Sequence, residues 1–374
     1  MEIKKSNKDM NSEYDIMIVG GGPAGISTWL HLHKYDPELA SNAVLIEKEK
    51  YPRDKLCGGA IHRWMTNRIL SNLEININVP FVSVDNIEIR FEKDVYHYQE
   101  ENFFRIVRRL EFDHFLAQIA KNRGLSLREN EEFIDINYID DGALVKTSRG
   151  TYKVKMLIGA DGALSMVRRK MKPPLTPRFA ATIEIFSPVH LKYDPEFATR
   201  TAMMDFTPVN EGLQGYVWHF PCLSDNKPTM NHGVCDTRIF PDAPRADLKK
   251  IFTHELLSRH NNPGPNLWSS HPVTYFLNEV SLSRPNVLLV GDAAGIEPLM
   301  GGGIHLSLAY GEVAATTISD AFRRNDFSLK MYNQTLHDHY LGKYIRKFTN
   351  VAKYIYGDKT KILDSLAKII EYKK

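Results

Sequence analysis

Six residues near the N-terminus, Gly20-Gly21-Gly22-Pro23-Ala24-Gly25, constrain the fold more than any other stretch of the sequence. They lie between Tyr14 to Gly20, which has the apolar character of a short buried strand, and Pro23 to Lys34, which has the pattern of a helix. Ala43 to Glu47 predicts a second strand. Together these segments predict a βαβ unit, which is how a nucleotide-binding fold begins.

The spacing of the glycines indicates what this turn does. Gly20 permits a tight turn, Gly22 lets the backbone approach a pyrophosphate, and Gly25 lets the helix pack closely on the sheet, with its N-terminus facing the phosphate charge. Glu47, at the end of the next strand, is placed to accept a hydrogen bond from a ribose hydroxyl. We therefore predict a dinucleotide site rather than a plain turn. The other cofactor positions predicted here are Pro23, Ala24 and Lys48.

A second glycine-rich stretch, Gly291-Asp292-Ala293-Ala294-Gly295, follows a strand predicted at Val287 to Val290 and precedes a long helix predicted at Gly303 to Arg323. Asp292 is placed to bind a ribityl hydroxyl. Clustered glycines let backbone amides and a helix N-terminus approach a flavin ring that becomes anionic on reduction. The cofactor positions predicted in this stretch are Gly291, Asp292, Pro298, Gly301, Gly302, Gly303 and Ile304.

A third motif, Gly159-Ala160-Asp161-Gly162-Ala163, follows a predicted β-meander over residues 133–158. Taken alone, it fits a simple turn that closes the meander equally well. Together with the other two motifs it resembles the acidic-glycine motif of flavoprotein hydroxylases and their relatives. That resemblance implies that Asp161 binds the cofactor.

The three motifs, in this order, resemble the glutathione-reductase-type FAD superfamily, in the branch shared by aromatic hydroxylases, flavin-dependent halogenases and geranylgeranyl reductases. The resemblance covers nearly the whole chain and implies FAD as the cofactor. Arg109 and Asp113, in Arg109-Leu110-Glu111-Phe112-Asp113, match the arginine and aspartate that this branch places beside FAD. An ordinary acid at a helix start with a surface arginine is the alternative.

Two further stretches resemble the geranylgeranyl reductases in particular. Pro52-Arg53-Asp54-Lys55-Leu56-Cys57-Gly58-Gly59 is similar to their cysteine-and-glycine loop, and Tyr216-Val217-Trp218-His219-Phe220-Pro221 to their Tyr-x-Trp-x-Phe-Pro substrate motif. Halogenases carry Trp in the first place of a related motif and a catalytic lysine in another context, and neither occurs here. The resemblance implies three groups of residues: Cys57, Gly58 and Gly59 beside the cofactor; Tyr216, Trp218, Phe220 and Pro221 at the substrate; and Cys57, Tyr216 and Trp218 in catalysis.

The residue types allow two interpretations of these stretches. Tyr216, Trp218 and Phe220 alternate at period two, so on a strand their rings face one side and form an apolar wall, either for a hydrocarbon chain or as plain core packing. Cys57 is either an inert buried thiol or a group that orders the substrate and delivers a proton. The histidine pairs His31/His33 and His337/His339 point to different helix faces and receive no role.

The function expected from the resemblance is reduction of isolated carbon-carbon double bonds in a prenyl chain, by hydride transfer from N5 of reduced FAD. A flavin monooxygenase or halogenase acting on an aromatic substrate is one alternative, and an electron-transfer flavoprotein is another. No second glycine motif for a nicotinamide nucleotide is found, so the external reductant is either NAD(P)H or a ferredoxin. Only about seventy residues follow Gly303, whereas many archaeal members of the resembled family have a longer C-terminal part that helps enclose the lipid. A smaller alkene is therefore an alternative substrate.

The expected fold class is α/β, with a Rossmann-like FAD-binding domain, an inserted antiparallel-sheet substrate domain and a short helical C-terminus. The FAD-binding domain is predicted to be discontinuous, over residues 1–80, 104–175 and 280–325. Residues 81–103 and 176–279 are predicted to form the substrate domain. Residues 326–374 are predicted to form a few amphipathic helices.

Composition limits the other function classes. A net charge of +3 is too small to indicate nucleic-acid binding, and three well-separated cysteines indicate neither a disulfide framework nor a metal site. No apolar run reaches the length of a membrane span and no signal peptide is apparent, so a cytoplasmic protein is expected. Residues 340–374 contain nine Lys or Arg and three acids. This excess of positive charge fits either a solvated helical face or a peripheral contact with an anionic membrane surface.

Overall fold

The computed structural model describes residues 13–173, 175–259 and 268–371. Its strands are numbered in chain order. They are β1 Glu13–Val19, β2 Ala43–Glu47, β3 Ala60–His62, β4 Phe81–Phe91, β5 Asp94–Val107, β6 Ser126–Glu129, β7 Phe133–Ile139, β8 Gly142–Thr147, β9 Thr151–Gly159, β10 Arg178–Pro188, β11 Thr201–Asp205, β12 Val217–Ser224, β13 Lys227–Asp236, β14 Ser269–Tyr275, β15 Ser283–Arg284 and β16 Val287–Leu289.

The helices lie between these strands and at the C-terminal end. They are α1 Pro23–Tyr35, α2 Pro37–Ser41, α3 Arg63–Asn72, α4 Arg109–Asn122, α5 Met166–Lys170, α6 Pro195–Thr199, α7 Leu248–Arg259, α8 Gly303–Arg324, α9 Tyr332–Asp338, α10 Tyr340–Gly357 and α11 Ile362–Glu371. No helix of the described ranges combines the length and the apolar character that crossing a bilayer requires.

The first sheet has the strand order β15-β16-β9-β1-β2-β6, with β7 and β8 joined to β9 as an antiparallel meander. Its central strands pair in parallel, β1 with both β2 and β9. Residues 16–19 of β1 and all of β2 are buried, and they belong to one apolar cluster with residues of α1 and of the β7–β9 meander. The carboxyl ends of β1, β9 and β16 therefore reach one edge, where the three glycine motifs begin.

The second sheet has the order β14-β10-β13-β12-β11-β4-β5-β3. Its pairs are antiparallel except for β11 with β4. The sheet extends further than the sequence analysis expected. It includes β3, and β5 continues to Val107 because residues 104–106 pair with β3. Both segments had been assigned to the first domain.

The C-terminal segment is helical, as the sequence indicated, but its helices are not separate from the rest. Phe348 and Ile355 of α10 and Leu366 and Ile370 of α11 are buried in the same apolar cluster as Trp218 of β12. The amphipathic character of these helices is therefore explained by the second sheet, which their apolar faces cover.

A close contact between α1 and α8 fixes the first sheet to the second glycine motif. The Ser27 hydroxyl donates to the Leu308 carbonyl oxygen at 2.6 Å, and both helices are buried along this contact. A Cβ added at Gly311 would lie only 2.5 Å from the Ser27 carbonyl carbon. The absence of a side chain at residue 311 is what lets the two helices approach.

We expect Gly311→Ala to lower the free energy of unfolding by about 1–3 kcal/mol, because overpacking at this contact outweighs the gain of about 1 kcal/mol that alanine brings to a helix interior. Urea unfolding followed by circular dichroism measures the effect. Thr316→Ala in the same helix is the control, since Thr316 is exposed and should change stability little. A Gly311→Ala protein as stable as the parent would contradict this account of the helix contact.

Candidate functional site

One cavity of about 990 Å³ lies between the two sheets, at the upper end of the range for small-molecule sites. All three glycine motifs open onto it, together with the loop that contains Cys57. The aromatic residues of β12 line it from the other side, and α10 and α11 close one end. The cavity therefore brings together most of the residues that the sequence analysis selected.

The first glycine turn has the shape that a pyrophosphate site needs. Gly20 has φ +104°, and a Cβ there would lie 2.7 Å from the Ala160 carbonyl carbon. Gly22 is the N-cap of α1, and no described side chain caps it. A Cβ at Gly22 would meet only Arg109 Nη2, at 3.8 Å, and Arg53 Nη2, at 3.9 Å. The amides of the first turn of α1 thus face open space beside two guanidinium groups, which fits an anionic ligand.

The other cofactor positions predicted in the N-terminal βαβ unit either line the cavity or pack inside the fold. Pro23, Ala24 and the exposed Lys48 line the cavity. Gly25 does not, because it packs against the Gly20 carbonyl and the Ala160 side chain. Glu47 lines the cavity at the carboxyl end of β2.

Glu47 is buried and held by backbone donors. Its Oε2 accepts from the Gly21 N–H at 2.8 Å and its Oε1 from the Glu49 N–H at 3.1 Å. Arg53 Nε lies 3.3 Å from Oε2. The carboxylate is thus fixed beside the glycine turn, where a ribose acceptor was expected.

The second glycine stretch presents another helix N-terminus to the same cavity. Asp292, Pro298, Gly301 to Gly303 and Ile304 line it. Gly301 has φ +66°, no described atom lies within 4 Å of a Cβ built there, and no described side chain caps α8. The open space at Gly301 and the uncapped N-terminus of α8 fit an anionic ring. Gly291 does not line the cavity, because it packs against Ala24 and Ser307.

Glu297, which the sequence analysis missed, shapes this stretch. Its carboxylate accepts from the backbone N–H groups of Leu299 at 2.7 Å, Met300 at 2.9 Å and Gly302 at 2.9 Å. Burial raises the pKa of Glu297, and these backbone donors oppose the rise. An acid four residues before a glycine cluster is the signal that could have indicated such a loop.

Asp161 lines the cavity, and its contact with the cofactor stays a prediction. Its carboxylate accepts from the N–H groups of Met166 at 2.7 Å and Val167 at 3.1 Å, and from the Ser165 hydroxyl. These contacts begin α5, so the side chain is committed to its own loop. The loop itself still lines the cavity.

Arg109 lines the cavity and Asp113 lies behind it. Arg109 Nε and Nη2 donate to the two carboxylate oxygens of Asp113, both at 2.7 Å, and Arg53 Nη1 donates to Asp113 at 3.0 Å. Burial opposes ionisation of Asp113, but Arg109 and Arg53 outweigh it and lower its pKa. Asp113 is therefore corrected from a cofactor contact to the positioning partner of two arginines.

The loop with Cys57 lies between the second glycine stretch and the aromatic residues. Lys55 Nζ lies 3.7 Å from Asp292 Oδ2. The Gly59 N–H donates to Cys57 Sγ at 3.4 Å, and burial raises the pKa of the Cys57 thiol, so the sulfur stays protonated at neutral pH. A Cβ at Gly58 would lie 3.3 Å from Trp218 Nε1. The loop therefore contacts the aromatic wall directly.

The aromatic wall, defined as Tyr216, Trp218 and Phe220, lines the cavity. The Tyr216 hydroxyl donates to the Met300 carbonyl at 2.7 Å, which ties the wall to the second glycine stretch. Pro221 does not belong to this set. Side chains alternate along β12, so Pro221 points to the opposite face, and the predicted substrate set is corrected there.

Sequence reasoning also missed two ionisable residues in the cavity. His305 lies in the first turn of α8, and burial lowers the pKa of His305 to about 4, so its ring is neutral. Glu184 of β10 is buried and lines the cavity beside Cys57 and Trp218. Within the described ranges, no three His, Cys, Asp or Glu side chains are grouped to hold a metal ion.

We expect Asp113→Asn to lower the free energy of unfolding at pH 7 by about 3–5 kcal/mol, because it leaves two buried guanidinium groups without their counter-charge. The lowered folded-state pKa means that Asp113 stabilises the fold above its ordinary pKa near 3.8 and loses this effect as the pH falls further. The variant should therefore show a flatter decline in stability below pH 4, measured by urea unfolding.

Asp320→Asn is the matched control for this prediction. Asp320 pairs with Arg323 at 2.5 Å on the surface of α8, where an ion pair contributes little. Equal losses of stability in the two variants would contradict the assigned role of Asp113.

Comparison with known proteins agrees with this geometry. The family model described as FAD binding domain matches residues 13–334. A digeranylgeranylglycerophospholipid reductase from Thermoplasma volcanium is 25% identical over 386 residues, covering 96% of this chain and 91% of the relative. This distant relationship confirms the resemblance to geranylgeranyl reductases.

Solved structures confirm the expected fold class. A geranylgeranyl bacteriochlorophyll reductase-like protein from Thermoplasma acidophilum has a TM-score of 0.73 at 21% identity, covering 93% of this chain and 87% of its own. The halogenase PltM has a TM-score of 0.70 at 16% identity, covering 92% and 76%. At these identities the likeness concerns the fold alone. With the family model matched over most of its length, the chain belongs to the FAD-binding domain family.

Proposed function

We propose that this protein is an FAD-dependent reductase that saturates isolated carbon-carbon double bonds in a prenyl chain or a related alkene. One observation carries the proposal. A single cavity joins two uncapped helix N-termini, which fit an anionic dinucleotide and its ring, to the aromatic wall and then to the apolar residues of α10 and α11. The distant relative named as a digeranylgeranylglycerophospholipid reductase supports a lipid substrate.

In this proposal, different residues of the chain would bind the cofactor, stabilise its charge and align the substrate. The amides that begin α1 and the guanidinium of Arg109 bind the phosphates, and the amides that begin α8 stabilise negative charge on the ring. Trp218 and Phe220 align the hydrocarbon against the ring and exclude water. The Tyr216 hydroxyl is occupied by the Met300 carbonyl, so Tyr216 acts by holding the wall in place. When bound, the flavin supplies the hydride.

The electrons come from an external donor, which is either NAD(P)H or a ferredoxin. The loop of Cys57 lies next to both the second glycine stretch and the aromatic wall, so its thiol would be placed to order an alkene beside a bound ring. Residues of the C-terminal helices α10 and α11 line one end of the cavity, where part of a long chain would lie.

The reaction is tested by anaerobic reduction of the FAD-loaded protein with dithionite, followed by incubation with geranylgeranyl lipids and mass spectrometry. We expect a gain of two hydrogens for each double bond reduced. Trp218→Ala should lower kcat/KM by about 10²-fold, since misplaced reactants lose that much. Tyr354→Ala is the control, because Tyr354 is exposed and does not line the cavity.

Two outcomes would count against the reductase. A long-lived peroxide absorption on mixing the reduced protein with oxygen, with hydroxylated or halogenated aromatic products, would favour a monooxygenase or halogenase. Rapid electron exchange with a partner protein and no turnover of any alkene would favour an electron carrier. A folded protein that remains colourless after reconstitution with FAD would remove both the proposal and these alternatives.

We also propose a peripheral contact between the C-terminal helices and an anionic membrane surface. Lys343 and Lys347 line the end of the cavity near these helices, and Lys353, Lys359 and Lys368 are exposed beyond them. Of the basic residues counted in the sequence, Lys373 and Lys374 lie outside the described residues. A lipid substrate would then enter the cavity from the surface on which the protein lies.

Replacing Lys353 and Lys359 together by Glu should weaken binding to vesicles of phosphatidylserine and phosphatidylcholine by more than tenfold, because each lysine near an anionic surface contributes about 1 kcal/mol. Co-sedimentation measures this. Replacing Lys249 and Lys250 of α7 by Glu changes the net charge equally and should leave binding unchanged. Equal effects of the two pairs would show that only net charge matters.

A further inference from the structure

Glu184 lies on the cavity face of the second sheet, next to the aromatic wall. In the register of the sheet Glu184 of β10 pairs with Gly233 of β13, and Gly233 pairs with Trp218 of β12. Directly paired residues of antiparallel strands point to the same face. A Cβ at Gly233 would lie 2.5 Å from Trp218 Cε2, so the indole covers this glycine. Asn231, two residues before Gly233 on the same face of β13, accepts from Trp218 Nε1, and its side chain also interacts with the Glu184 carboxyl, so the indole and the acid lie on either side of one amide.

The Glu184 carboxyl is buried with only weak compensation. It is 1% exposed, and neither carboxyl oxygen makes a hydrogen bond of normal geometry within the part of the chain that the structure describes. Burial raises the pKa of Glu184 to about 7, while the Asn231 amide and the Cys57 backbone limit the rise. An unpaired buried carboxylate is costly, so the neutral acid is favoured.

Charged and titratable groups reach Glu184 mainly from the segments before α4 and around Cys57. Arg108 favours the carboxylate and Asp54 favours the neutral acid. Arg108 is also close to Asp54, at 3.6 Å, and stacks over the Phe186 ring, so its charge is shared. Cys57 and Glu184 influence each other, and burial raises the pKa of the Cys57 thiol as well. Of the two groups, the carboxyl is the stronger acid.

We propose that Glu184 is the proton donor of the reaction, a role that rests on the proposed alkene reduction. One alkene carbon would receive a hydride, and hence two electrons, from bound FAD that the external donor has reduced by two electrons in all, in one step from NAD(P)H or in two from a ferredoxin. The π bond breaks, the Oε–H bond of Glu184 breaks, and its proton forms the new C–H bond on the other carbon. The carboxylate then regains a proton from solvent. Cys57 remains in this scheme as a group that orders the alkene.

The test compares Glu184→Gln, which keeps the shape and cannot donate a carboxylic proton, with the parent protein. FAD content and reduction by dithionite should be unchanged. Reoxidation of the reduced flavin by a geranylgeranyl lipid, followed anaerobically by stopped flow, should fall by about 10²-fold or more. Glu184→Asp, which keeps an acid, should recover part of the rate. Glu211→Gln, on an exposed surface residue, should behave like the parent.

The pH profile gives a readout that a structural role would not change. The acid must be protonated, so the parent rate should fall about tenfold per pH unit above pH 7, and Glu184→Gln should lack this limb. An infrared carbonyl band that disappears between pH 5 and pH 9 in the parent should be absent in Glu184→Gln. Because the pKa of Glu184 is raised in the folded protein, ionisation of this carboxyl at higher pH lowers the stability of the fold. Glu184→Gln cannot ionise, so it should have the higher Tm at pH 8.

Each contrary result has a distinct meaning. A parent protein that never transfers hydride to an alkene overturns the reductase and the donor role together. A parent that reduces alkenes, with Glu184→Gln equal in rate and in pH profile, overturns the donor role alone. If Cys57→Ser, rather than Glu184→Gln, abolishes the limb above pH 7, Cys57 is the donor.

Discussion

Two helix N-termini that open onto one cavity are the arrangement on which the rest of the structure depends. α1 begins at Pro23 and α8 at Gly303, and in the described residues no side chain caps either one. Their positive ends face the cavity without a capping side chain, which favours the binding of an anion there. The contact of Gly311 with Ser27 fixes the two helices relative to each other. The spacing of the two ends is thus set by packing before any ligand arrives.

The buried carboxyl groups around this cavity differ in the partners that compensate their charge. Asp113 has two guanidinium partners, and Asp161 and Glu297 have backbone N–H donors. Each of these three groups holds a loop or an arginine in place. Glu184 is as deeply buried, yet in the described residues it makes no hydrogen bond of normal geometry and is only weakly compensated by Asn231 and Arg108. A buried acid that the fold compensates so weakly is expected where chemistry, rather than folding, requires the group.

Local motifs explain why much of the site could be predicted from the sequence. Gly22 and Gly301 act within a few residues of the helices that they precede, so spacing alone indicated their place. The roles of Pro221 and Glu184 depend on strand alternation and on register between strands distant in the chain, which local spacing does not give. Asp113 was predicted at the cofactor from the resemblance, and the sequence does not show that Arg53 would approach it from another loop.

The C-terminal helices connect the size of the cavity to the substrate that the proposed function requires. The cavity is at the upper limit for one drug-sized ligand, yet it must hold both a dinucleotide and an alkene. Only part of a long prenyl chain therefore fits beside the aromatic wall. The remainder would follow the apolar residues of α10 and α11, such as Phe348 and Ile370, toward the exposed lysines. If the proposed function holds, a long chain would be reduced one segment at a time on this geometry, with its polar end near the helices.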